Sequence, residues 1–280
     1  MARIFVVANQ KGGVGKTTTS LNLAAALARL GKRALLVDLD PQGNATMGAG
    51  VDKRSLKRTV YQVLIGQATP SEVRLRSEAG GFDLLPANRD LAGAELELID
   101  LERRERRLKD ALATLAADYD FILVDCPPSL SLLTLNGLTA AQGVIIPMQC
   151  EYYALEGLSD LVGTIKKVRA NFNPDLREIG LLRVMYDPRM TLAQQVSAQL
   201  EQHFGDKVFR TIVPRNVRLA EAPSHGLPGV AFDPASKGAR AYLDFGAEVI
   251  ARHGGSATSG VPPTPSPASS APPSSAPAAA

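Results

Sequence analysis

The stretch Asn9 to Thr19, NQKGGVGKTTT, follows the apolar run Ile4 to Ala8 and precedes a pattern with Leu23, Leu27 and Leu30 on one helical face. A buried strand, a glycine loop and an amphipathic helix in that order predict a phosphate-binding loop at the end of a parallel strand. The usual form is GxxxxGK[ST]. Gly15, Lys16 and Thr17 supply its end, but Gln10 occupies the place of its first glycine, and a second lysine, Lys11, stands beside it. The physics survives the departure. Gly12, Gly13 and Gly15 let successive backbone N–H groups converge around Val14, and the following helix adds the positive end of its dipole. Lys16 is expected to reach the β and γ phosphates of ATP, Thr17 to ligate Mg²⁺, and Thr18 to donate to the α phosphate.

Working outward, the rhythm of strand and helix continues. Strands are expected at Ile4–Ala8, Ala34–Leu39, Phe82–Leu85, Phe121–Val124, Val144–Met148, Ile179–Met185 and Val208–Val213. Helices are expected at Lys16–Leu30, Leu91–Ala116, Leu130–Ala141, Leu155–Asn171, Leu192–His203 and Lys237–Arg252. Alternation over this length predicts one α/β domain, residues 1–253, built on a doubly wound, mostly parallel sheet flanked by helices, the phosphate-loop NTPase fold. From Gly254 to Ala280 the chain has no charge and no large side chain except Val261, so residues 254–280 are expected to form a disordered Pro/Ala/Ser-rich tail.

Two further segments supply acid. In LLVDLDPQGN (Leu35–Asn44), Asp38 and Asp40 are two apart, at the C-terminal end of a strand, where α/β sites lie. Two carboxylates beside a triphosphate repel it unless a cation intervenes or one of them handles water. Asp40 is therefore assigned to orienting and activating the attacking water, and Asp38 to the magnesium shell or its support. In FILVDCPPS, Asp125 ends an apolar strand, as a carboxylate holding a magnesium-bound water does; Pro127 and Pro128 stop the strand.

Composition narrows the partners. Thirty-one Lys and Arg against twenty-eight Asp and Glu give +3, so any binding to nucleic acid depends on a local patch. The two cysteines, Cys126 and Cys150, lack a CxxC spacing and read as small apolar residues. No apolar run reaches the roughly 18–20 residues of a membrane span, and the first residues lead straight into a strand, so a cytoplasmic protein without a leader is expected.

KGGVGKTT, VDLDPQGN, DYDFILVDCPPSL and PRNVRLAEAPSHG (Pro214–Gly226), in this order, resemble the deviant Walker A ATPases and, among them, the ParA/Soj chromosome- and plasmid-partitioning proteins; the resemblance covers Ala2 to His253. It implies that two ATP-bound monomers meet face to face. Lys11 then crosses to the partner's phosphates, with Gly12 at the interface, making Lys11, Lys16 and Asp40 the catalytic set. It also implies that Pro214 and Asn216 contact adenine, that the ATP-bound homodimer binds nonspecific double-stranded DNA, and that a ParB-like adaptor stimulates slow hydrolysis at the nucleoid. Candidate DNA contacts are Arg189 and Arg218 first, then Arg183, Arg215, Lys237 and Arg240. With the first strand beginning so early, no appended helix-turn-helix is expected. The rival is a MinD-like membrane-associated ATPase, whose relatives carry a C-terminal amphipathic helix that this tail lacks. An iron–sulfur carrier of the same fold would need cysteines that are not present.

Overall fold

In the computed structural model, which describes residues 2–253, the strands are β1 (Arg3–Val7), β2 (Ala34–Asp38), β3 (Leu75–Ser77), β4 (Phe82–Leu85), β5 (Phe121–Asp125), β6 (Gly143–Met148), β7 (Glu178–Tyr186) and β8 (Val208–Pro214). They form one sheet in the order β3-β4-β2-β5-β1-β6-β7-β8, parallel throughout except for β3 against β4. The single α/β domain of the phosphate-loop NTPase kind is as the sequence predicts. The proposed tail, residues 254–280, lies outside the described residues.

Period-two alternation sorts the strand residues onto two cores. Phe5, Val7, Leu36, Leu123 and Ile145 face the helices Lys16–Arg29 and Lys237–His253, where Leu23, Leu27, Tyr242 and Phe245 are buried. Ile4, Val6, Leu35, Val37, Ile122 and Val124 face the other layer, including Leu132–Ala140, Ala154–Asn171 and Thr191–Phe204. Both faces are covered, which is why these strands read as continuous apolar runs.

The long helix expected over Leu91–Ala116 is broken. Helical structure runs over Leu91–Glu97, tightens through Leu98–Asp100, leaves helical geometry at Leu101, and resumes at Arg107–Ala113 after a turn with Arg103 at φ 53°. The fully buried Asn136, on the neighbouring helix, accepts from Leu108 N at 3.1 Å and donates to Arg104 O at 2.9 Å. Tertiary hydrogen bonds thus replace those a continuous helix would make, a substitution that periodicity cannot register. Strand β3 also escapes a sequence reading: it has three residues, and Leu75 and Arg76 are exposed. The short helix Pro70–Val73 carries a readable signal, the Thr69–Glu72 capping box.

Candidate active site

The loop from Asn9 to Gly15 lies at the C-terminal end of β1, between β5 on one side and β6 on the other. The connections from β1 lead to β2 on the first side, whereas β6 and the strands after it build the second, so the loop occupies the reversal point of strand order where α/β sheets bind ligands. Gly13 and Gly15 have φ of 74° and 79°, a region that a side chain would strain. Gly15 caps the helix Lys16–Arg29 with no side-chain bond, and the first intrahelical bond in the turn is Thr19 N to Gly15 O. The N–H groups of the first turn therefore remain available to an anion.

The two lysines diverge. Lys16 is 8% exposed and its Nζ donates to Lys11 O at 3.1 Å, so it curls back over its own loop. Burial lowers its pKa, and the charges of Asp125 and Asp40 oppose that shift. The side chain of Lys11 is 53% exposed and pairs with Glu151.

Asp38 and Asp125 are register partners on β2 and β5, both fully buried. Asp125 accepts from Thr17 Oγ1 and from Ser20 Oγ, each at 2.8 Å. Asp38 accepts at one oxygen from Thr46 N and Thr46 Oγ1, at 2.8 and 2.7 Å, and at the other from Asp40 N at 3.1 Å. Both oxygens of each carboxylate are thereby engaged inside the protein; what separates the two is that Asp125 is bonded to Thr17, the other candidate magnesium ligand, whereas Asp38 meets Thr46 and the Asp40 amide. Asp40 is partly exposed, with Oδ1 accepting from Gln42 N at 2.9 Å; the cap of the following helix is Gly43.

Burial pushes Asp38 up to about 6 and, with the added charge of Asp38, Asp125 up to about 7. For groups raised in the folded state, the stabilisation is complete below the unfolded pKa near 4 and is lost as pH climbs through 6 to 7. The nucleotide-free protein is therefore expected to lose on the order of a few kcal/mol from this pair between pH 5 and 8. His253, lowered by burial, has the opposite sign in the same window, so the comparison of interest is with Asp125→Asn. A flatter pH dependence of Tm in that variant is the expected result, and an unchanged one would contradict this electrostatic account.

Metal fit follows from the donor set. Among the described residues no cluster of three or more His, Cys, Asp or Glu can hold an ion. One hydroxyl beside one carboxylate, Thr17 with Asp125, suits Mg²⁺, which takes few protein ligands and completes its shell with phosphate and water.

Beside the loop, a cavity of about 140 Å³ is lined by Gly15, Thr18, Val184, Met185, Val213, Pro214, Asn216 and Tyr242, among others. Pro214 and Asn216 are thus brought to the loop. Asn216 also caps the helix Val217–Glu221, accepting from Leu219 N at 3.4 Å. Met185 has φ 50°, unusual for a side-chain-bearing residue, and its Sδ accepts from Gln149 Nε2 at 2.8 Å.

The basic candidates separate. Arg183 is 3% exposed, donating to Ser197 Oγ and Phe209 O at 2.8 Å each and pairing with Glu201. Its place on β7 turns it into the layer beneath the helix Thr191–Phe204, and it is withdrawn from the DNA-binding set. Arg183→Met is expected to cost about 2–4 kcal/mol in urea unfolding while leaving DNA affinity of the folded protein unchanged. Arg189 is exposed but gripped by Asp187 through two bonds of 2.9 and 2.7 Å, and Arg218 pairs with Glu221 and Asp233. Arg215, Lys237 and Arg240 are exposed with no ion pair among the described residues.

Sequence reasoning passed over Ser20, Thr46 and Glu151. Ser20 had a signal, three residues after Thr17 on the same helical face. Glu151 and Thr46 had none, because their partners are distant in sequence or were assigned to other work. Cys126 and Cys150 are buried and unpaired, with burial raising both thiols.

The AAA domain family model matches residues 2–178. The chromosome-partitioning ATPase Soj of Thermus thermophilus is 56% identical over 250 residues, covering 89% of this chain and 96% of that protein. The chromosome partitioning protein ParA of Myxococcus xanthus is 51% identical over 252 residues, covering 90% and 89%. A structure described as cobyrinic acid a,c-diamide synthase from Mycobacterium smegmatis, with a bound ATP analog and magnesium, superposes with a TM-score of 0.79 at 42% identity, covering 91% and 97%. Among the described residues no helix is long and apolar enough to cross a membrane. With a nucleotide loop, paired acidic strand ends and relatives matched over nearly their full lengths, this chain belongs to the ParA/Soj family of chromosome-partitioning ATPases.

Proposed function

We propose that the chain is a nucleotide switch in which two Mg·ATP-bound protomers pair face to face, bind DNA without sequence preference, and separate after hydrolysis stimulated by a ParB-like partner at the nucleoid. The observation that carries this reading is the divergence of the two lysines. Lys16 is turned onto its own loop, while the Lys11 side chain is exposed and, among the described residues, tethered only to Glu151. One cation serves the protomer's own nucleotide, and the other is free to serve a neighbour's.

In the proposed reaction, Lys16 and the first-turn N–H groups of the helix Lys16–Arg29 hold the phosphates. Asp40 orients a water whose oxygen attacks the γ phosphorus as the bond to the ADP oxygen breaks. Lys16 and the partner's Lys11 stabilise the charge that builds on the transferring group and the leaving oxygen. Thr17 and Asp125 would hold Mg²⁺, which would supply neutralisation of phosphate charge. The cavity at Pro214 and Asn216 would take the adenine, with Asn216 Nδ2 as a donor. Lys11 in trans makes dimerisation depend on nucleotide and turnover depend on dimerisation.

Sizing with ATP, ADP or neither, followed by addition of nonspecific DNA or anionic liposomes, tests the reading. ATP-dependent dimers captured by DNA and not by liposomes support it; liposome capture without DNA capture favours the MinD-like alternative. For the DNA face, Arg215→Glu with Lys237→Glu is expected to weaken binding uniformly across sequences. The slope of log affinity against log salt should lessen by about 0.9 for each phosphate that the variant no longer neutralises. Unchanged affinity at low salt in an intact dimer would remove these two residues from the interface.

A further inference from the structure

We propose that Thr46 is a positioning residue for the catalytic carboxylate of Asp40, an inference that rests on the role given to Asp40 above. Thr46 is fully buried in the short helix Asn44–Gly48 and touches nothing in the nucleotide loop by hydrogen bond. Its Oγ1 donates to Asp38 at 2.7 Å and accepts from Ala87 N at 2.8 Å, so a single hydroxyl fills a donor's and an acceptor's place at once. Asp38, oriented by Thr46, receives Asp40 N at its other oxygen. The hydrogen-bonded path therefore runs from the residues after β4 through Thr46 and Asp38 to the backbone of Asp40.

A second point of attachment supports the same reading. Gly43, at φ 59°, lies so close to the Ala87 carbonyl that an added Cβ would sit 2.7 Å from its oxygen. The loop carrying Asp40 is thus laid against Ala87 at both Gly43 and Thr46. Ser meets the hydrogen-bonding requirement at position 46, whereas Val, of the same shape as Thr, meets neither half of it. Loss of the hydroxyl leaves Ala87 N without its acceptor and Asp38 with only the Thr46 and Asp40 backbone donors, so the tie to Ala87 is cut and Asp38, with the Asp40 backbone it holds, is positioned less tightly. Because a misplacement near 1 Å costs about 100-fold in a positioned reaction, hydrolysis suffers while phosphate binding by Lys16 and the loop does not.

The test measures single-turnover ATP hydrolysis and ATP affinity in Thr46→Val, Thr46→Ser, Asp40→Ala and the double variant Asp40→Ala/Thr46→Val, at a temperature where circular dichroism shows each folded. Thr46→Val is expected to hydrolyse about 10- to 100-fold more slowly with ATP affinity within about twofold, and Thr46→Ser to stay within about threefold of the natural rate. In the Asp40→Ala background Thr46→Val is expected to cost nothing more, a result that a merely structural role would not produce. Thr46→Ala, which also lacks the hydroxyl, is read in the same way if the Val variant does not fold. A natural rate in the hydroxyl-free variants, or the same loss with Asp40 already removed, or a parallel loss of ATP affinity, overturns the proposal and leaves Asp40 in place. Normal hydrolysis by Asp40→Ala instead overturns the reading of Asp40 on which the proposal stands.

Discussion

Asp40→Ala is expected to bind Mg·ATP at least as tightly as the natural chain and to hydrolyse it about 10²- to 10⁴-fold more slowly, the range for removal of a positioned base. The asymmetry follows from charge. Asp40 acts electrostatically on Lys16, Asp38 and Asp125, so its removal relieves repulsion against an incoming triphosphate. It does not cap a helix, and its one side-chain bond, from Gln42 N, belongs to a partly exposed turn. The fold therefore has little to lose. Equilibrium binding of ATP and single-turnover hydrolysis separate the two effects. A variant trapped as an ATP dimer that retains DNA is the expected state under the proposed function, and a natural hydrolysis rate would take Asp40 out of the mechanism.

Gly12→Val is expected to bind nucleotide as a monomer and to lose ATP-dependent dimerisation and its stimulated turnover altogether. Neither backbone conformation nor an intrachain neighbour requires glycine at this position. Gly12 does not adopt the left-handed backbone, and a Cβ built on it meets nothing within 4 Å among the described residues. Gly13 and Gly15, by contrast, have their left-handed backbone to explain them. A substitution that disturbs no neighbour within the chain costs within about 0.5 kcal/mol of stability. The space that glycine keeps open is available to the partner in the proposed face-to-face dimer. Lys11 must exchange Glu151 for the partner's phosphates as that dimer forms. An exposed ion pair is worth about 0–1 kcal/mol, too little to hold the lysine against a triphosphate. Sizing of the variant with ATP decides the matter: a dimer of natural stability would contradict the interface.

Much of this was legible in the chain. Strands β1, β2, β5 and β6 are legible because they are buried on both faces and carry nearly uninterrupted apolar runs, and the loop because glycine, lysine and threonine spacing maps directly onto backbone geometry. Asp38 and Asp125 are legible because each ends such a run, where a strand delivers its side chain to the edge of the sheet, and Asp40 because it stands two residues beyond one. Family membership follows from those same local segments.

What only the tertiary structure decided has one physical cause: a side chain's role depends on which partners the fold aims at it, some far away in sequence, as for Arg183, and some close by, as Asp187 is to Arg189. Arg183 reads as a surface cation until Ser197, Glu201 and the Phe209 carbonyl surround it. Arg189 and Arg218 read as free charges until nearby carboxylates take them up, whereas Arg215, Lys237 and Arg240 are left exposed. Asp38 is open between metal shell and support in the sequence, and the fold bonds it to Thr46 and the Asp40 amide while Asp125, not Asp38, is the carboxylate bonded to Thr17. The helix expected over Leu91–Ala116 breaks because Asn136, from another helix, supplies bonds in its place. Local spacing determined the loop, the sheet and the family; burial and side-chain pairing in the folded chain decided which charges are engaged within the fold and which remain exposed for a ligand.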